Sequence, residues 1–154
     1  MQVDAPQTLV FQFRETFEGL TPNWITNGEP DSGIFGTIDP VDDERAFAEP
    51  FPGGKSIAQH VAHLAYSLEL FLDRMQGNDP PAAWDTSFET SGLDWPALQA
   101  RLRSAYDACV QKMAGHATMP IDQWPPLHIA GVAAMIGHNA YHLGALRQLV
   151  KLAR

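Results

Sequence analysis

A single cysteine, a shortage of cations and the lack of any long apolar run bound what this chain can be. With only Cys109, no disulfide can form within the chain, which fits a reducing cytoplasm. There are 10 Lys and Arg residues against 18 Asp and Glu, a formal net charge of −8. No basic run offsets this charge, so polyphosphate is repelled and no nucleic-acid partner is expected. No apolar stretch approaches the roughly 20 residues that span a bilayer, so no membrane partner is expected either. The opening MQVDAPQTLVFQFRETF lacks the basic lead and apolar run of a signal peptide. Strand-like alternation and internal repeats are also missing. The expectation is one acidic, cytoplasmic domain over residues 1–154.

What is present is helical periodicity. In a first segment, Pro6 to Leu20, apolar residues Leu9, Val10, Phe13, Phe17 and Leu20 recur at three- and four-residue steps, and Thr21-Pro22 ends it. A second helix opens at Ser56, with Gln59 three residues on to complete a capping box. It carries the stripe Ile57, Val61, Leu64, Leu68, Leu72 and Met75, and Gly77 supplies a stop. A third is capped by Asp94, has Pro96 in its first turn and the stripe Leu98, Leu102, Ala105, Cys109 and Met113, and closes at Gly115. The fourth runs over residues 127–152. Four amphipathic helices predict an all-α fold, an antiparallel four-helix bundle. Between the first two helices, residues 21–55 are rich in proline, glycine and acidic side chains. They read as a long irregular connection, with a short hairpin through Gly33-Ile34-Phe35-Gly36 and the reach to act as a lid.

The six histidines concentrate the chemistry. His60 and His63 lie on the second helix, His116 in a loop, His128 at the start of the fourth helix, and His138 and His142 within it. In HNAYHLGALRQL, His138 and His142 are four apart and share one face. On a helical wheel with His138 at zero, His142 falls at about 40°, Leu149 at about 20° and Met135 at about 60°, an apolar and inward face. Inward imidazoles cost stability unless satisfied, and a divalent ion satisfies them by taking one lone pair from each neutral ring. A third ligand must come from another helix. On the second helix the apolar stripe covers about −40° to 60°; His60 lies at about −60° and His63 at about −120°, so periodicity favours His60.

The stretches HNAYHLGALRQLVKL and GGKSIAQHVAHLAYSLE resemble the signature helices of the DinB-like superfamily, which includes metal-dependent enzymes of the YfiT type. The usual C-terminal pattern, H-x-x-x-H then a small residue and Gly, is met by His138, His142 and Gly144, with Ala145 where Gln is common. In the earlier helix of such proteins a Ser opens the helix and a metal-binding His follows seven residues later, a position that falls on His63. The resemblance therefore implies a four-helix bundle with a long crossover connection between helices 1 and 2, and a triad of His63, His138 and His142 holding one divalent ion. His60 is the reserve ligand or a supporting group. Zinc or nickel is the expected ion, with manganese and iron as alternatives, and a homodimer is expected.

A His₃ ion with an open position suits catalysis better than structure. The resemblance to thiol-dependent S-transferases points to a metal-dependent transferase. Its reacting group is a low-molecular-weight thiolate or a water at the open coordination position, and its substrate a small molecule. A metal-dependent hydrolase is the alternative, and a non-catalytic metal-binding or dimerisation module is the other. Arg74, Arg101, Arg103, Arg147 and Lys151 are the cations available to a charged thiol. Cys109, on an apolar stripe, reads as a buried, inert thiol rather than a nucleophile. Glu69 and Asp73 read as solvated surface groups, and Tyr141 as a packing or interface residue.

Overall fold

A computed structural model describes residues 4–153. Among them the chain forms six α-helices, α1 (Ala5–Glu18), α2 (Ile34–Ile38), α3 (Asp43–Phe47), α4 (Ile57–Met75), α5 (Trp95–Ala117) and α6 (Pro126–Leu152), a 3-10 turn at Ile121–Gln123, and no strand. None of these helices is long and apolar enough to cross a membrane. Four are long: α1 and α4 each pack against both α5 and α6. The two members of each pair therefore stand across from one another, and the chain must travel a long way from the end of α1 to the start of α4.

The local signals behind these helices are largely those in the sequence. Ser56 and Gln59 form the reciprocal capping box of α4, Gln59 N–H donating to Ser56 Oγ at 3.2 Å and Ser56 N–H to Gln59 Oε1 at 2.9 Å. Asp94 caps α5 by accepting from Ala97 N–H at 2.9 Å. Helix α1 ends two residues earlier than its apolar repeat suggests. Gly19 takes the left-handed conformation, φ 68°, and turns its N–H back to Glu15 O. Helix α5 runs past Gly115 to Ala117, so His116 is in its last turn rather than in a loop. Glycine weakens a helix by only about 1 kcal/mol, and packing of the last turn outweighs that.

The apolar stripes meet in one core. Phe13, Phe17, Leu64, Leu68, Leu98, Leu102, Met113 and Leu146 are fully buried, each contributing about 1.5–3 kcal/mol. An aromatic group fills the α1–α5 side, where the Phe17 and Tyr106 ring centres are 4.8 Å apart and those of Phe13 and Tyr106 stack at 6.1 Å. Cys109 lies in this core, as expected.

Residues 21–55 contain no hairpin. Where one was expected, through Gly33–Gly36, the chain forms the short helix α2, and α3 follows. Asp42 caps α3 by accepting from Arg45 N–H at 2.9 Å, and Ile34, Ile38 and Ala46 are buried. Gly33 comes so near the end of α1 that a Cβ there would lie 2.3 Å from Phe17 O. Helical turns bury these apolar side chains against the body while satisfying their own backbone, which a hairpin edge would leave open. The segment is fastened in several places. Glu15, wholly buried, accepts through Oε1 from the N–H groups of Trp24, Ile25 and Thr26 at 2.7–2.8 Å. Arg45 donates to Val150 O and Ala153 O at the end of α6. Trp95 Nε1 donates to Val41 O at 2.7 Å, and Arg147 to Ser32 O and Asn27 Oδ1.

Glu15 thus ties residues 24–26 to α1 by one carboxylate oxygen. Replacing it, Glu15→Ala, is expected to cost about 3 kcal/mol in urea unfolding, because three backbone donors lose a charged acceptor. A cost under about 1 kcal/mol would show that the 24–26 turn holds without it.

Candidate metal centre

Four of the six histidines come together between α4 and α6. His63 Nε2 faces His138 Nε2 at 3.1 Å, and His60 Nδ1 faces His142 Nδ1 at 3.0 Å. The ring centres of His63 and His142 are 4.8 Å apart and those of His138 and His142 4.5 Å. His63, His138 and His142 each offer a nitrogen within 4.8 Å of the other two, an arrangement that could hold a metal ion. His60 joins the cluster through His142 and stands outside that triad.

The wheel's preference for His60 over His63 is thereby reversed. The apolar stripe of α4 marks the side turned to the main core, but α4 is buried around more of its girth than the stripe. His63, Ser67 and Leu70, on its flank, are 7%, 3% and 6% exposed because α6 and the following connection cover them. The histidine pair of α6 and this flank of α4 meet there.

Burial sets the protonation of the cluster. Loss of solvent, with His138, His60 and His63 close by, pushes His142 down to about 3. Loss of solvent, then His138 and His60, pushes His63 down to about 4. Burial also lowers His138, and burial with nearby Lys55 lowers His60. All four rings are therefore neutral near pH 7, with lone pairs to give.

A second layer orients the rings. Ser87 Oγ donates to Trp84 O at 2.7 Å, so it accepts from His63 Nδ1 at 2.8 Å. That fixes the proton on Nδ1 and leaves the Nε2 lone pair turned to His138. The Phe88 ring stacks on His63, centres 4.1 Å apart and 5° from parallel, and meets His60 edge-on at 5.8 Å. With the proton of the shared contact on His142 Nδ1, His60 accepts it and the other nitrogen of His142 keeps its lone pair. His138 Nδ1 is buried with no hydrogen-bond partner. Converging neutral imidazoles, one fixed by its outer partner and another with an orphaned buried nitrogen, are a donor set that fits a divalent ion.

Tyr141 of α6 meets His142 edge-on, ring centres 5.1 Å apart; the other residues touching the imidazoles belong to the connection between α4 and α5, whose hold on α4 is completed by Ala83 N–H donating to Tyr66 Oη at 2.6 Å. No sequence signal marks Ser87 or Phe88, which stand in a stretch with neither periodicity nor motif. From residues 21–55, Lys55 approaches, its Nζ 5.4 Å from the Phe88 ring centre. Most of the arginines considered near a site are engaged elsewhere. Arg101 forms a two-pronged pair with Glu69, Arg103 pairs with Asp39, and Arg147 holds residues 27 and 32. Cys109 is remote and inert, burial pushing its thiol up to about 12. His116 and His128 form a separate pair, Nε2 to Nδ1 2.8 Å, beside Trp124.

The family model of the DinB superfamily matches residues 34–146, and the chain belongs to that superfamily. The match takes in His60, His63, Ser87, Phe88, His138 and His142 and leaves out α1. Searches of curated proteins and of solved structures found no match.

The depressed values fix a direction for pH dependence. The unfolded chain takes up protons on these histidines from the ordinary value of 6.5 downward, while the folded His63 and His142 resist until about 4 and 3. Metal-free protein should therefore lose thermal stability as pH falls below about 6.5, the unfolded state binding more protons. His142→Gln should flatten the decline in Tm between about pH 6.5 and 5, a slope that an unperturbed histidine would leave unchanged.

Proposed function

We propose that His63, His138 and His142 bind one divalent ion, zinc or nickel, and that the protein is a metal-dependent transferase acting with a low-molecular-weight thiol. The observation that carries this reading is the convergence of three neutral imidazole nitrogens, from two buried rings and the half-buried ring of His138, with no carboxylate among them. Such a donor set leaves the ion its full double charge and favours an anion in the remaining position. A divalent ion there supplies Lewis acidity, lowering the pKa of a thiol or water bound to it. The protein's own groups do the positioning. Ser87 sets the tautomer of His63, His60 supports His142, and Phe88 covers the rings and keeps water from one side. Lys55, over Phe88, is the cation nearest the cluster and replaces the arginines as the candidate partner for a charged thiol.

Membership of the superfamily supports the wider architecture, an antiparallel four-helix bundle in which residues 21–55 are the crossover. The pairing of α1 and α4 each with α5 and α6 agrees with it. A homodimer belongs to the same reading, supported by apolar side chains on the outside of α6, where Leu127 and Tyr141 are 84% and 72% exposed.

Protein purified without chelator or nickel resin should carry about one equivalent of zinc or nickel, and His142→Ala less than a tenth of that. Metal-loaded protein should then transfer a thiol to an electrophilic acceptor, measured across a panel of thiols. Ester or amide hydrolysis with no thiol transfer would move the assignment to a hydrolase. A wild-type metal content below a tenth of an equivalent would remove the metal site altogether.

A further inference from the structure

The two helix faces that carry the histidines continue as an apolar groove. A cavity of about 750 Å³ runs from His138 between α4 and α6. Its walls are Leu70, Phe71 and Met75 of α4 and Gly131, Ala134 and Met135 of α6, with Trp84 at the side. The two walls are in register with the cluster. His63 faces His138, and two turns farther from the histidines Phe71 faces Gly131. Gly131 lets the Phe71 ring lie close against α6, where a Cβ would come to 3.0 Å from Phe71 Cε2, and Ala134 puts only a methyl group into the wall. At the far end lie exposed Leu127 and the pair Arg74–Asp79, 3.5 Å apart and solvent-facing. Between His138 and Leu127 the α6 wall rises about 16 Å, at about 1.5 Å per residue.

We propose that this groove receives the apolar tail of the substrate, so that the substrate class is a compound with a metal-binding polar head at the histidine cluster and a linear hydrocarbon chain of medium length. The inference rests on the metal reading for the position of the head, and on the groove alone for the tail. The volume is that of a small-molecule pocket. An apolar wall continuous with a ligand residue binds a chain by burying its methylenes, each adding favourable free energy. The charged pair at the far rim marks where the tail reaches water. Neither a free thiol nor a compact polar acceptor would use these walls.

The test compares acetohydroxamate with decanohydroxamate, which share a metal-binding head and differ in the tail, by calorimetry on zinc-loaded protein. The long compound should bind roughly a hundredfold more tightly. Ala134→Trp, at an exposed position in the groove wall, should keep the zinc and the acetohydroxamate affinity and lose most of that difference. Ala130→Trp, at another exposed position lining the groove, gives a second block should the first disturb folding, which far-ultraviolet circular dichroism would reveal. Equal affinities for the two compounds on zinc-loaded wild-type protein would overturn the proposal, as would a tail benefit that survives both tryptophans. If wild-type protein holds no zinc, the metal reading fails separately. Decanoate binding to metal-free protein then decides the groove: binding abolished by Ala134→Trp supports it, and no binding overturns it.

Discussion

Where His63 and His138 face one another at 3.1 Å, neither ring can take a proton without placing a charge in a buried, crowded space. That constraint organises the surroundings. Neutral rings need one nitrogen protonated and held, and Ser87 and His60 supply the partners. The held protons then decide which lone pairs turn inward. The positions of α4, α6 and the connection after α4 can all be understood as meeting this requirement. The core of phenylalanine and leucine side chains makes the helices rigid enough to keep it met.

The chain divides the work between two connections. Residues 21–55 carry the chain from α1 to α4 and are pinned by Glu15, Arg45, Trp95 and Arg147, so they stabilise the scaffold and bring Lys55 near the site. The shorter connection between α4 and α5 supplies the direct contacts, through Trp84, Ser87 and Phe88. One side of the cluster is therefore closed by an aromatic ring. The other opens along α4 and α6 into an apolar groove.

Much of this was legible in the sequence, for local reasons. The four long helices announce themselves through caps such as Ser56–Gln59 and Asp94, and through stripes with a 3.6-residue period. The histidine pair of α6 was visible because four-residue spacing fixes a common face. The third histidine was not decidable by periodicity. A wheel finds the side of a helix that meets the main core, and His63 lies on a flank buried by elements remote in sequence. Likeness to the DinB superfamily pointed to it where the wheel did not. Ser87 and Phe88 were invisible because their roles depend on how a loop without repeat folds back on α4. Helices α2 and α3 were missed for a related reason. Each is too short to show a period, and burial of Ile34, Ile38 and Ala46 against the body holds them.

The histidine assignment is tested most directly by X-ray absorption at the zinc edge of zinc-loaded wild-type protein and of His60→Ala. Both spectra should contain three imidazole nitrogens at about 2.0–2.1 Å, because His60 supports a ligand and is not one. A spectrum without imidazole scattering would contradict the site, and loss of one imidazole in His60→Ala would contradict the division between the triad and its support.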